Sequence, residues 1–161
     1  MKLYIAKDNY INKLKNLDNR VLVNSHGTTT RPYYFLELKI NDTNFAIPFS
    51  SPKQNVRYNP FTQIFINGKD QQQGRLFLLN MIPFKREHFD EVDIHLIKND
   101  NYRFLLQDQL RFLSDKKDEI ERKASIIFRA RYNPNHFKYS MLQKNAIDYK
   151  NLINHLKLEH L

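Results

Sequence analysis

The sequence predicts an α+β chain in which a small, strongly bent antiparallel sheet has helices packed on it. Two observations point there. Residues 1–97 are rich in β-branched and aromatic side chains and hold five of the six prolines, whereas residues 98–161 follow a long-period helical pattern. Within the first part, two runs alternate apolar and polar residues on either side of Asn41-Asp42, a pair suited to a two-residue hairpin turn. At 161 residues with 41% apolar content, the chain is long enough for one domain with a sizeable core.

Taken in order, Lys2 to Ala6 reads as a short strand. Asp8 is a candidate N-cap for a helix through Leu17, with Tyr10, Ile11 and Leu14 on one face. Residues 18–30 are polar and irregular. Tyr33 to Ile40 alternates, with Tyr34, Leu36, Leu38 and Ile40 on one side, and Thr43 to Phe49 returns with Phe45, Ile47 and Phe49 together. Further strands are expected near Phe61–Ile66, Arg75–Leu79 and Val92–Leu96. From Asn101 the apolar spacing lengthens through Leu106, Leu110, Leu113, Ile120, Ala124 and Ile127, which predicts one long helix or two broken near Ser114-Asp115. Asn133-Pro134 marks a joint, and Leu142, Ala146, Tyr149, Ile153 and Leu156 predict another helix.

Composition removes several functional classes. The only glycines are Gly27, Gly68 and Gly74, which exclude a GxGxxG fingerprint; Gly68 and Gly74 are followed by Arg75-Leu76, which excludes a P-loop. There is no cysteine, so disulfides, thiolate zinc sites and cysteine nucleophiles are absent. The six histidines show no metal-ligand spacing, and no cofactor is expected. Asp90-Glu91-Val92-Asp93 reads as an exposed acidic turn, and Glu37-Leu38-Lys39 is only a three-residue match to metal-dependent nucleases. The start of the sequence has no apolar leader, and Leu76 to Leu79 is far too short to span a membrane. A soluble cytoplasmic protein is expected. With 26 Lys and Arg against 17 Asp and Glu, the net charge is +9, which suits a polyanionic partner.

The hairpin gives part of that charge a location. A turn at Asn41-Asp42 sets Tyr33 opposite Ser50, Pro32 opposite Ser51 and Thr30 opposite Lys53. Arg31-Pro32-Tyr33-Tyr34 and Phe49-Ser50-Ser51-Pro52-Lys53 then converge at the open end. Pro32 and Pro52 cannot donate ladder hydrogen bonds, so pairing ends there and the chains splay. Cations, hydroxyls and free backbone at such an exit suit a phosphate, although an ordinary strand exit with two surface charges has the same composition.

These strings, with the TyrIle near the start, Ala46-Ile47-Pro48-Phe49-Ser50-Ser51-Pro52-Lys53 and Asn80-Met81-Ile82-Pro83, occur in this order in the ToxN/AbiQ endoribonuclease toxins of type III toxin–antitoxin systems. The chain resembles that family over nearly its whole length. The segment from Tyr102-Arg103-Phe104-Leu105-Leu106 to Lys123-Ala124 is also similar to the family's long helix. The resemblance implies a barrel-like sheet related to the Kid/MazF toxins, with added helices. It implies metal-independent cleavage of cellular or phage RNA, leaving 2′,3′-cyclic phosphate and 5′-hydroxyl ends. It further implies inhibition by an RNA antitoxin of pseudoknot repeats that the toxin itself processes, closed protein–RNA assemblies, and abortive phage infection.

By position, Ser51 matches the family's key serine, with Ser50 before it and Lys53 in the Pro-Lys step. Some members carry lysine directly after the first proline, where this chain has Tyr33; Arg31 is the candidate replacement cation. Ser51 is expected to position the 2′-hydroxyl or the scissile phosphate, Lys53 and Arg31 to stabilise the phosphorane, and Tyr33 or His26 to protonate the leaving oxygen. Candidate RNA-binding residues are His26, Asn80 from the shared string, the cation–aromatic neighbours Arg57-Tyr58, Phe84-Lys85-Arg86 and Tyr102-Arg103, and Arg129 and Arg131. The competing expectation is a non-catalytic, basic RNA-binding module.

Overall fold

The computed structural model describes residues 1–23, 33–50, 59–67 and 72–158. Among them run seven strands: β1 (Leu3–Ala6), β2 (Tyr34–Ile40), β3 (Thr43–Ser50), β4 (Gln63–Asn67), β5 (Gln72–Phe77), β6 (Ile82–Pro83) and β7 (Phe89–Glu91). They are accompanied by five α-helices: α1 (Asp8–Leu17), α2 (Asp100–Asp115), α3 (Lys117–Arg131), α4 (Tyr139–Asn145) and α5 (Tyr149–Leu158). The α+β expectation holds. No helix of the described residues is long and apolar enough to cross a membrane.

The expected hairpin forms with the expected register, from Ile40 opposite Thr43 to Tyr34 opposite Phe49. Asn41 and Asp42 both take positive φ, 47° and 64°, as a type I′ turn requires. All pairings are antiparallel, in the order β4-β5-β3-β2-β1-β7, with β6 added beside β3. The ladder is open: no pairing joins β4 to β7 among the described residues, so the barrel-like closure implied by the family resemblance is not formed by hydrogen bonds here.

Both faces of the hairpin are covered. Phe35 meets Phe89, which meets Tyr10 of α1, each at 5.7 Å between ring centroids. On the other face Phe45 packs on Phe128 of α3 at 5.8 Å and on Tyr149 of α5 at 6.0 Å. Burying these rings supplies about 1.5–3 kcal/mol each.

Four local expectations are corrected. Asp8 is the first helical residue of α1, not its cap, which falls on Lys7. The strand expected over Arg75–Leu79 ends at Phe77, and Leu78–Asn80 form a 3-10 turn. The fully buried Tyr149 donates its hydroxyl to the carbonyls of Leu78 and Leu79 at 3.2 and 3.3 Å, and satisfies there what a sheet partner would otherwise satisfy. The strand expected over Val92–Leu96 is displaced to Phe89–Glu91, because the Asp93 carboxylate accepts from the His95 N–H at 3.0 Å and starts a 3-10 turn at Ile94. The last expected helix is two. Ala146 is extended, and the Ile147 N–H bonds the Leu79 carbonyl at 3.1 Å instead of continuing the helix. The break in the preceding helix falls at Lys116, near the expected Ser114-Asp115.

Asp18, 6% exposed, ties the segment after α1 to the helical layer. It accepts from Arg20 Nε and Nη2, both at 2.8 Å, and from the Asp148 N–H at 2.8 Å. Burial alone would raise its pKa; the Arg20 and Asp148 hydrogen bonds outweigh this and hold the carboxyl below its usual value. A depressed carboxylate contributes stability above its unfolded pKa, about 3.9, and that stability is lost as pH falls through the folded value. Asp18→Asn is expected to cost about 2–4 kcal/mol at pH 7, a fall in Tm of roughly 5–15 °C, with the difference from the unmodified chain shrinking as pH falls below about 4. Thermal unfolding by circular dichroism across pH 2–7 measures both.

Candidate functional site

The open end of the β2–β3 hairpin lies where sequence placed it. Tyr34 pairs with Phe49, so Tyr33 and Ser50 are the next residues outward on the two strands. Ser51, Lys53, Arg31, His26, Arg57 and Tyr58 lie outside the described residues. Tyr33 is half-buried, with its ring edge-on to Phe77 at 6.4 Å, and burial raises its hydroxyl pKa. A phenol so shifted holds its proton at neutral pH and serves as a donor, not as a base.

The other side of β3 supplies residues that sequence reading passed over. Ser50 pairs with Arg75 of β5, which places both side chains on one face. Arg75 is 3% exposed, and its guanidinium lies over the Phe65 ring at 5.7 Å. In the sequence Arg75 appeared as the residue that breaks a P-loop and as the start of an expected strand; no local signal links it to Ser50, because the pairing is set by long-range register. Gly74 is required at its position. A Cβ there would collide with the Ser50 backbone carbonyl and lie 3.0 Å from Gln109 Nε2 of α2. Gln109 is 1% exposed, so this helix face is packed onto the strand next to the exit. Among the described residues, no group of three or more His, Asp or Glu converges as metal ligands.

The remaining RNA-binding candidates fall into separate places. Phe84 and Lys85 line a cavity of about 420 Å³ with Lys39, Asp42, Thr43, Asn44, Ile153 and Lys157, at the turn end of the hairpin. The Phe84 N–H bonds the Asn44 carbonyl at 2.8 Å. Asn44 and Ser50 are six residues apart on β3, so this cavity is about 20 Å from the strand exit. Phe84 also stacks on Phe89 at 4.7 Å, and Arg86 donates to the Phe89 carbonyl at 2.7 Å. Asn80 donates to the Arg20 carbonyl at 2.9 Å. Tyr102 donates to the Tyr34 hydroxyl at 2.9 Å, so α2 is tied to the strand end beside Tyr33. Arg103 is held by the Ile97 carbonyl at 2.8 Å and Asp100 at 2.6 Å. Arg129 is exposed, whereas Arg131 is 7% exposed, lies over the Tyr132 ring at 5.3 Å and has no hydrogen bond at Nε among the described residues.

Comparison with known proteins is consistent along the chain. The family model for the toxin ToxN of type III toxin–antitoxin systems matches residues 2–157. An endoribonuclease ToxN of Pectobacterium atrosepticum is 27% identical over 135 residues, which cover 79% of this chain and 79% of that protein. An endoribonuclease ToxN of Bacillus thuringiensis subsp. kurstaki is 25% identical over 131 residues, 80% of this chain and 67% of that one. A solved toxin from a bacterial type III system, described as selectively inhibited by a non-coding RNA pseudoknot, superposes with TM-score 0.85 at 22% identity, covering 99% of this chain and 97% of the other. The lactococcal anti-phage endoribonuclease AbiQ superposes with TM-score 0.77 at 21% identity, covering 99% and 97%.

Gly74→Ala tests the close approach at the exit. It is expected to destabilise the chain by about 1–3 kcal/mol and to shift the Ser50 amide resonance, as read by thermal unfolding and by ¹⁵N-resolved NMR.

Proposed function

This chain belongs to the ToxN toxin family of type III toxin–antitoxin systems, and from that premise we propose that it is an endoribonuclease whose active site is the strand exit at Ser50-Ser51. The observation that supports this most directly is the hairpin register, which leads Tyr33 and Ser50 to the same open end and sets Ser50 beside Arg75. The relatives named endoribonuclease ToxN, and the neighbour inhibited by an RNA pseudoknot, support the same substrate class.

In the proposed reaction the substrate's own 2′-hydroxyl loses its proton and attacks the adjacent phosphorus. The resulting phosphorane expels the 5′-oxygen, which takes up a proton, leaving a 2′,3′-cyclic phosphate and a 5′-hydroxyl. Ser51 positions the 2′-hydroxyl or the phosphate, with Ser50 beside it. Lys53 and Arg31 neutralise the phosphorane; one aimed donor contributes ~10²–10³ in rate. The buried cation Arg75 adds fixed positive potential beneath the exit. Tyr33, a phenol protonated at neutral pH, suits the donor to the leaving oxygen. The nucleophile belongs to the RNA, so the scheme has no step that requires a metal.

The same reading makes an RNA antitoxin of pseudoknot repeats both inhibitor and processed product, in a closed protein–RNA assembly that aborts phage infection from the cytoplasm. It also proposes kinship of the sheet with the Kid/MazF toxins. His26, Arg57, Tyr58 and the exposed Arg86 and Arg129 are proposed RNA contacts.

Incubating the purified, antitoxin-free protein with a defined RNA in EDTA is expected to yield new 2′,3′-cyclic phosphate and 5′-hydroxyl ends, identified by end-labelling and mass spectrometry. Ser51→Ala is expected to slow cleavage by at least about 10²-fold while keeping RNA affinity. Intact RNA with the unmodified protein would leave a basic RNA-binding module as the function. Cutting by Ser51→Ala at the original rate would remove Ser51 from the mechanism.

A further inference from the structure

The connection between α3 and α4, with Phe61 at the margin of the core, presents an exposed aromatic surface. Phe137 is 82% exposed. Its ring stacks on His136, with centroids 4.7 Å apart and planes 22° from parallel. Phe61 closes the group at 6.3 Å from Phe137 and 6.1 Å from His136. Lys138 Nζ lies over two of these rings, 5.6 Å from the Phe137 centroid and 5.9 Å from that of Phe61.

A single exposed phenylalanine is common on a protein surface. This one is held in place. The Asn135 N–H donates to Asn133 Oδ1 at 3.0 Å, and the His136 N–H to the Asn133 carbonyl at 3.0 Å. The Lys138 N–H donates to His136 Nδ1 at 3.1 Å, and the Tyr139 N–H to the His136 carbonyl at 3.0 Å. The turn is thereby fixed, and the imidazole under Phe137 is oriented by its own backbone. Little conformational entropy is left to lose when a flat ligand stacks on it.

In sequence, Phe61 follows the candidate RNA-binding residue Tyr58 by three positions. Lys123 of α3 donates to the Pro60 carbonyl and, at 2.8 Å, to the Gln63 carbonyl, which pins the chain leaving the 51–58 segment against the helix.

We infer that Phe61, His136, Phe137 and Lys138 form a stacking subsite for one unpaired base of single-stranded RNA, with the Lys138 ammonium on a neighbouring phosphate. Stacking on an aromatic ring tolerates any base, and an ammonium fixed beside the rings matches the phosphate that accompanies each base. The net charge of +9 favours this polyanion over a neutral or basic protein surface. The inference rests on the RNA-directed function proposed above and adds to it a subsite outside the reacting residues.

The test uses a labelled single-stranded 2′-O-methyl oligoribonucleotide, which lacks the nucleophile and stays intact, read by fluorescence anisotropy. Phe137→Ala is expected to weaken binding about tenfold and to raise KM for cleavable RNA similarly, with kcat and Tm unchanged. Phe137→Trp restores affinity; Phe137→Leu, apolar but without a π-face, does not. Affinity within twofold of the unmodified protein in Phe137→Ala overturns the subsite, as does full rescue by Leu. A changed sedimentation coefficient with unchanged RNA affinity also overturns it, and identifies the patch as a contact between copies of the chain. If the unmodified protein neither binds the oligonucleotide nor cuts RNA, the RNA-directed function itself fails; if it does both and only the Phe137 variants are silent, the subsite alone fails.

Discussion

A two-residue turn with both residues in the left-handed region sets the register on which the sheet depends. Asn41 and Asp42 tolerate positive φ because their short polar side chains interact locally. With the turn fixed, Phe45, Ile47 and Phe49 enter the core on one face, while Pro48 and Ser50 fall on the other. A slip of one residue would exchange these sets, turning Asn44 and Ser50 to the face packed by α3 and α5 and taking Phe45 away from Phe128 and Tyr149. The same register fixes which residues leave β2 and β3 together at the far end. The geometry of the candidate site is therefore decided at a turn about seven residues away from it.

The outer edge of β3 is less regular, and the irregularity separates two surfaces. Phe49 and Ser50 pair with Leu76 and Arg75, whereas Phe45 and Ala46 pair with Pro83 and Ile82. The chain between holds three more residues than β3 does, taken up by the turn Leu78–Asn80. One end of β3 thus meets a buried arginine and a glycine under α2, and the other meets the lysine-lined cavity around Phe84 and Lys85. The turn's Leu78 and Leu79 carbonyls are satisfied by the Tyr149 hydroxyl and the Ile147 N–H.

What could be read from sequence was local or periodic. The hairpin, α1 and the helical stripe from Leu106 to Ile127 follow from patterns of period 2 or 3.6 and from one turn dipeptide. The displaced strand at Phe89–Glu91 and the break before α5 follow from single partners far along the chain or from one capping carboxylate, which leave no periodic trace. The site divides the same way. Tyr33 and Ser50 follow from counting back from Asn41-Asp42, whereas Arg75, Gly74 and Gln109 reach Ser50 through strands and a helix that no short motif connects. Asn80, Tyr102 and Arg103 read as polar or cationic candidates, yet each is bonded within the fold, because residue type alone does not reveal a partner.

Tyr149 satisfies carbonyls that lie 71 and 70 residues before it. During synthesis those carbonyls emerge from the ribosome long before their partner exists. The Asp18 carboxylate waits still longer, for an N–H 130 residues ahead. The turn at Leu78–Asn80 and the segment after α1 consequently cannot reach their final bonding while the helical layer is untranslated, and a nascent chain interrupted before α5 leaves the Leu78 and Leu79 carbonyls without the Tyr149 hydroxyl. For a member of a toxin family, this ordering ties the finished architecture to the last part of translation, when α5 and the residues around Asp148 have been made.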